Sequence, residues 1–269
     1  MYFAMDDIGL ENTEKIRLID NETKRWRFIY EVAKDYGFEG IHFTPSLYRN
    51  FGLDLHNIPK YFEDFKLTFH FGGLYKIISD EGYETLDENL CECFEIAKKH
   101  RMHDISIHPP YIYEISSDER KVCLSFFEKA ITKWTKKANE INITFSLETH
   151  VSGEFFLFRG LEEYILFADK HPDLGILIDI SHNYFDNYSE DTIINFLGFR
   201  NVKALHVSDA LQNVDFRKGT HLPIGEGSIN FEKLLKYFDK FPNLFGALEI
   251  KADNKKIQSS LEQLRNILM

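Results

Sequence analysis

Six consecutive apolar runs of the sequence end in histidine, aspartate or glutamate. They close as Thr68-Phe69-His70, Ser106-Ile107-His108-Pro109, Ser146-Leu147-Glu148-Thr149-His150, Leu177-Ile178-Asp179-Ile180-Ser181-His182, Ala204-Leu205-His206-Val207-Ser208-Asp209 and Ala247-Leu248-Glu249-Ile250-Lys251. A lone histidine at a strand end is more often a satisfied structural residue than a ligand. A series of such residues means more if the strands converge on one axis. Carboxylates brought together repel one another and resist burial unless something positive joins them. A divalent cation supplies that charge. Two glutamates, an aspartate and one or more histidines form a mixed oxygen and nitrogen set. That set suits zinc, manganese, cobalt or magnesium better than copper or an iron–sulfur cluster, and the residue types do not choose among the first group.

Convergence depends on the elements that carry these residues. Short apolar runs alternate with longer amphipathic stretches, the pattern of βα units on a parallel sheet. The strand candidates are Tyr2–Met5, Gly40–Thr44, Leu67–Phe71, Asp104–His108, Thr144–Thr149, Gly175–Ile180, Ala204–Ser208 and Gly246–Ile250. Apolar residues at three- and four-residue spacing predict helices over Glu22–Tyr36, Leu86–His100, Ser117–Asn142, Leu161–Lys170, Phe231–Phe241 and Lys255–Leu268. A short helix is expected over Ile58–Phe65 and a weak one over Glu190–Phe196. Thr85 before Glu88, and Ser116 before Glu119, each have capping-box spacing. Eight alternating units without a linker, repeat or biased segment predict one (β/α)8 TIM barrel over residues 1–269, a single domain. The active face of such a barrel lies at the C-terminal ends of its strands, where the six runs stop. An open doubly wound sheet would read similarly, but no G-x-G-x-x-G follows the first strand, which counts against a dinucleotide-binding version.

Composition narrows the partners. The formal net charge of −11 gives no global attraction to nucleic acid or to an anionic membrane, although a local basic face stays possible. Cys91, Cys93 and Cys123 are odd in number and lack metal-type spacing, so they read as small residues of helices in a reducing compartment. No signal peptide and no membrane span are visible, and a cytoplasmic location is the simplest expectation. Most of the 25 Phe and 13 Tyr are expected to be packing residues. Association of identical copies is left open.

Three motifs carry a resemblance. Ile178-Asp179-Ile180-Ser181-His182 matches a D-x-x-H at strand six, and His206-Val207-Ser208-Asp209 an H-x-x-D at strand seven. His221-Leu222-Pro223-Ile224-Gly225-Glu226-Gly227 matches an H-x-x-x-G-E-G loop before a helix. In this order, with Glu148 before and Glu249 after, the chain resembles the xylose isomerase-like barrel superfamily from about His70 onward. That superfamily joins sugar and sugar-phosphate isomerases and epimerases with the class-four apurinic-site endonucleases. The resemblance to the isomerases implies one divalent metal held by Glu148, Asp179, His206 and Glu249. The resemblance to the endonucleases implies further ligands at His70, His108, His182 and His221. The endonuclease pattern also places an Asp two residues before the last His, where this chain has Gly219. That departure removes a carboxylate from the third set, so fewer than three tightly held ions are expected.

Two activities compete. In the isomerase or epimerase reading, the metal chelates a carbonyl and its neighbouring hydroxyl in a sugar, sugar phosphate or related polyol. Charge then develops as an enediolate. Glu148 and Glu249 remove and return the proton. His70, His108 and His182 line the pocket or support the ligands. In the phosphodiesterase reading, the extra histidines hold further ions for cleavage of DNA at abasic sites. Gly219 and the acidic balance favour the small carbohydrate substrate over nucleic acid. A dehydratase would use the same enediolate chemistry, and a non-catalytic barrel has no need of the quartet.

Overall fold

The apolar runs become strands because β-branched and aromatic residues cover both faces of a buried sheet. The computed structural model of the chain describes residues 1–6, 9–241 and 243–269, and only the backbone of residue 10. Its strands are β1 (Tyr2–Met5), β2 (Gly40–Phe43), β3 (Lys66–Phe71), β4 (Asp104–Ile107), β5 (Thr144–Glu148), β6 (Gly175–Asp179), β7 (Val202–Val207) and β8 (Phe245–Leu248). All pair in parallel in sequence order, and β8 returns to β1, so the sheet closes into a barrel. Parallel strands need crossover connections, which wrap the outside of the sheet. The described helices are α1 (Leu10–Leu18), α2 (Glu22–Tyr36), α3 (Pro45–Asn50), α4 (Asp80–Lys99), α5 (Ser117–Glu140), α6 (Leu161–Lys170), α7 (Ile180–Phe185), α8 (Glu190–Leu197), α9 (Phe216–Gly219), α10 (Phe231–Phe238) and α11 (Asn254–Leu268).

Period two along each strand sorts the side chains. Phe3, Ile41, Phe69, Ile105, Leu147, Ile178 and Leu205 join the large core between sheet and helices. Tyr2, Ala4, Leu177, Ala204, Phe245 and Ala247 form a separate cluster inside the barrel. Two residues beyond members of that inner cluster stand Asp6, Asp179, His206 and Glu249. The alternation that fills the barrel with small and apolar groups therefore delivers polar ones to its C-terminal mouth.

Two local expectations need correction. Thr85 does not start a helix. It lies inside α4 and its hydroxyl donates to the Glu81 carbonyl at 2.9 Å. The helix begins earlier, at Asp80, because the Ser79 hydroxyl accepts the Gly82 N–H and two acids occupy the first turn. The Ser116–Glu119 capping box is present at the start of α5. The expected helix over Ile58–Phe65 is instead two 3₁₀ turns, Leu55–Asn57 and Lys60–Asp64, on either side of Pro59. Proline lacks the N–H an α-helix would need there and disfavours helical backbone at Ile58.

Candidate metal centre

The structure brings the four predicted quartet residues together at the mouth. Glu148 ends β5, Asp179 ends β6, His206 lies in β7 and Glu249 follows β8. One donor atom from each falls within 4.8 Å of the others. His206 Nδ1 stands 3.0 Å from Glu249 Oε2, 3.3 Å from Glu148 Oε1 and 3.7 Å from Asp179 Oδ2. None of these contacts has hydrogen-bond geometry. His206 Nδ1, Glu148 Oε1, Asp179 Oδ2 and Glu249 Oε2 are all buried without a hydrogen-bond partner among the described residues. Orphaned buried polar atoms are costly and rare in isolation. Four such atoms, one from each residue and within 4.8 Å of one another, could hold a cation, so the residues fit a divalent metal.

The outer histidines extend the set in two directions. On one side, His70 Nε2 and His108 Nε2 approach the same oxygen, Glu148 Oε2, at 3.0 and 2.8 Å. On the other, His182 Nδ1 lies 3.2 Å from Asp179 Oδ2, and His182 Nε2 lies 3.3 Å from His221 Nε2. His70–His108–Glu148 and Asp179–His182–His221 are thus further groups with metal-ligand spacing, and each shares a carboxylate with the quartet.

Local backbone explains several of these placements. Asp179 ends a strand and caps α7. Its Oδ1 accepts from the His182 N–H at 2.7 Å and the Ser181 hydroxyl at 2.9 Å, which turns Oδ2 toward the cluster. His221 holds φ at 56°, a left-handed conformation uncommon for a residue with a side chain and typical of functional sites. Asp209 does not compensate for Gly219. Its carboxylate accepts the N–H groups of Ala210, Gly225, Gly227 and Ile229, so it shapes the loop that follows His221. At Gly219 a Cβ would stand 2.5 Å from Val214 Cγ2 and 2.9 Å from the Leu211 carbonyl oxygen. The position is packed against a side chain beyond glycine, and the third group keeps one carboxylate, Asp179.

Electrostatics match a site built for positive charge. Burial alone would raise the Glu148 carboxyl, but His108 and His206 outweigh it and hold the group well below its usual range. Glu249 is likewise held well below by His221 and His206 against burial. Asp179 is lowered against burial by His182 and His206. Burial opposes the charged form of His206, yet the surrounding carboxylates raise it well above the usual imidazole range.

The family model of the xylose isomerase-like TIM barrel matches residues 30–267. The chain belongs to this family. Among solved structures of similar shape is a D-tagatose 3-epimerase-like protein, with a TM-score of 0.75 at 18% identity over 100% of this chain and 97% of that one. The D-psicose 3-epimerase of Clostridium cellulolyticum H10 gives 0.72 at 14% identity, covering 100% and 99%. At such identities these neighbours show the shared fold alone. By sequence, the chain is 29% identical over 168 residues to the "Probable endonuclease 4" of Mesomycoplasma hyopneumoniae, covering 56% of this chain and 57% of that one. The corresponding Mycoplasma pneumoniae protein is 27% identical over 110 residues, covering 37% and 38%. The chain therefore matches about half of the first relative's length and less of the second.

Sequence reasoning missed three neighbours of the cluster. His150 packs between His108 and His182, at ring-centroid distances of 5.2 and 4.7 Å. Its position two residues after Glu148 on the same run was the available signal. Asp6 lies 4.0 Å from His70 Nδ1. His42 sits beneath the cluster in β2, 3.2 Å from His206 Nε2. The run Gly40-Ile41-His42-Phe43 carries its histidine inside the strand, where a reading of strand ends does not look.

Proposed function

We propose that the chain is a divalent-metal-dependent phosphodiesterase of the apurinic-site endonuclease type. The observation that carries this reading is the convergence of His70 and His108 on Glu148 Oε2, while the other Glu148 oxygen faces the quartet. A site for one ion needs only the quartet. A carboxylate flanked on both oxygens by separate imidazole sets is arranged to bridge two ions, and Asp179 repeats the arrangement toward His182. Sequence alone favours the isomerase, and this convergence reverses that order. The partial match to proteins named endonuclease 4 points the same way. Metal ions held here would stabilise charge on a phosphoryl group and activate water at neutral pH. Glu148 and Asp179, both buried, would hold the ions. Glu249, whose side chain is 20% exposed, is the quartet's solvent-facing carboxylate and is positioned to orient the attacking water.

The isomerase or epimerase remains the second reading. It is favoured by Glu148 and Glu249, which reach His206 from β5 and from the end of β8 and so flank a bound carbon chain. The deciding experiment incubates metal-loaded protein with abasic-site DNA and, separately, with sugars and sugar phosphates in heavy water. Strand cleavage that a chelator abolishes and added zinc or manganese restores is the expected result. Carbon-bound deuterium in a sugar, with intact DNA, would replace the proposal with the isomerase.

A further inference from the structure

His42 is fully buried on β2, below the metal-type residues, and neither the motifs nor the family resemblance gives it a role. Its ring runs nearly parallel to His70, with centroids 5.3 Å apart and planes 10° apart. His42 Nε2 faces His206 Nε2 at 3.2 Å. His42 Nδ1 lies 2.6 Å from the Thr68 hydroxyl, which in turn reaches the Ile41 carbonyl at 3.4 Å. Two ring nitrogens at hydrogen-bond distance share one proton, so the state of one imidazole sets the state of the other.

The direction of the chain can be read from its far end. A carbonyl only accepts, so the Thr68 hydroxyl donates to Ile41. The hydroxyl oxygen is then free to accept the His42 Nδ1–H. His42 Nε2 then carries its lone pair and accepts from His206 Nε2–H at 3.2 Å; Ser106 Oγ is a longer neighbour of the same nitrogen at 3.4 Å, and its hydroxyl donates to the Phe69 carbonyl at 3.1 Å. His206 Nδ1, the atom facing Glu148, Asp179 and Glu249, is left with its lone pair. Histidines that bind metals commonly donate their other N–H to a carboxylate or a carbonyl, which fixes the ring and its tautomer. Here that acceptor is a second imidazole anchored by a threonine.

We propose that His42 is a positioning residue that holds His206 in the tautomer and orientation needed to bind a metal through Nδ1. The proposal rests on the reading of the quartet as a metal site. It does not make His42 a ligand. His42, His70 and His206 also have ligand spacing, but His42 Nε2 faces His206 Nε2 at 3.2 Å, the distance of a shared proton.

The test uses the full chain as wild type, His42→Phe, Thr68→Val and Thr68→Ser. Zinc content is measured by elemental analysis, zinc affinity by competition with a chromophoric chelator, and ring tautomers by 15N NMR of the imidazoles. His42→Phe is expected to weaken zinc binding by about 10- to 100-fold, the usual effect of removing an outer partner of a metal ligand. Thr68→Val should weaken it less, and Thr68→Ser should keep wild-type affinity. In wild type, His42 should carry its proton on Nδ1. Thr68→Val removes little volume, so it keeps the test open if His42→Phe misfolds. Wild-type zinc affinity in both His42→Phe and Thr68→Val, or a His42 proton on Nε2 in zinc-loaded wild type, overturns the proposal while leaving the metal site standing. Wild type that binds no zinc at all overturns the metal reading and this proposal with it.

Discussion

At the scale of single residues, the candidate site is a set of close carboxylates, Glu148 and Asp179 buried and Glu249 partly so, that could hold a cation between them. Glu148 is the most connected, with His70 and His108 on one oxygen and His206 on the other. Glu148→Gln keeps the shape and removes the charge. It should lower metal content sharply, whereas a role in catalysis alone would leave metal content unchanged. Elemental analysis of the purified variant distinguishes the two. The strand-end residues were legible because each run stops at a titratable side chain. His42 was not, because inside a strand a histidine is indistinguishable in sequence from a satisfied core residue. The meaning of Gly219 was half legible. The missing carboxylate could be read from the motif, but its packing against Val214 and the Leu211 carbonyl could not. The third group is left with Asp179, His182 and His221, so an ion there is expected to exchange faster than the others.

At the scale of elements, helix positions followed from apolar spacing, and their ends from cap chemistry. The two threonine or serine positions with the same spacing make a direct comparison. Ser116 accepts from the Glu119 N–H, and the Glu119 carboxylate returns to the Ser116 N–H. Thr85 only donates back along its own helix. Ser116→Ala should therefore cost roughly 1 kcal/mol in chemical denaturation. Thr85→Ala should change stability by less than about 0.5 kcal/mol. Equal losses would mean that the cap does not anchor α5. The failure over Ile58–Phe65 has a different cause: apolar spacing suggested a helix while Pro59 forbade a continuous one. Six strands end one or two residues before the predicted ends, and β3, β7 and β8 begin one or two residues earlier than predicted.

At the scale of the whole molecule, the two ends of the barrel bury different titratable groups. The C-terminal mouth carries the cluster. Toward the other end, Asp104 is buried, accepts one hydrogen bond from Ser146 at 2.8 Å and leaves Oδ1 without a hydrogen-bond partner among the described residues. Burial, partly offset by Ser146, pushes its carboxyl up from 3.8 to about 7. Between those values the folded protein holds a proton that the unfolded chain releases. Stability therefore falls as pH rises through the window, and the loss is complete above about 7. Asp104→Asn should remove up to roughly 4 kcal/mol of that pH-dependent loss. Urea unfolding of both proteins at the two ends of the window measures it, and parallel pH profiles would refute the assignment. Among the described residues no helix is long and apolar enough to cross a membrane. The closed sheet itself was legible from eight alternating units. The merging of three donor sets was not, because sequence gives the order of strand ends and not which side-chain atoms meet across the barrel.

Under the proposed function, Glu148 would serve two ions, one beside His206 and one beside His70 and His108. Anomalous diffraction from crystals of the zinc-loaded protein tests it most directly. The account predicts one peak among Glu148, Asp179, His206 and Glu249, and a second among His70, His108 and Glu148. A single peak in the quartet, with no ion beside His70 and His108, would contradict it.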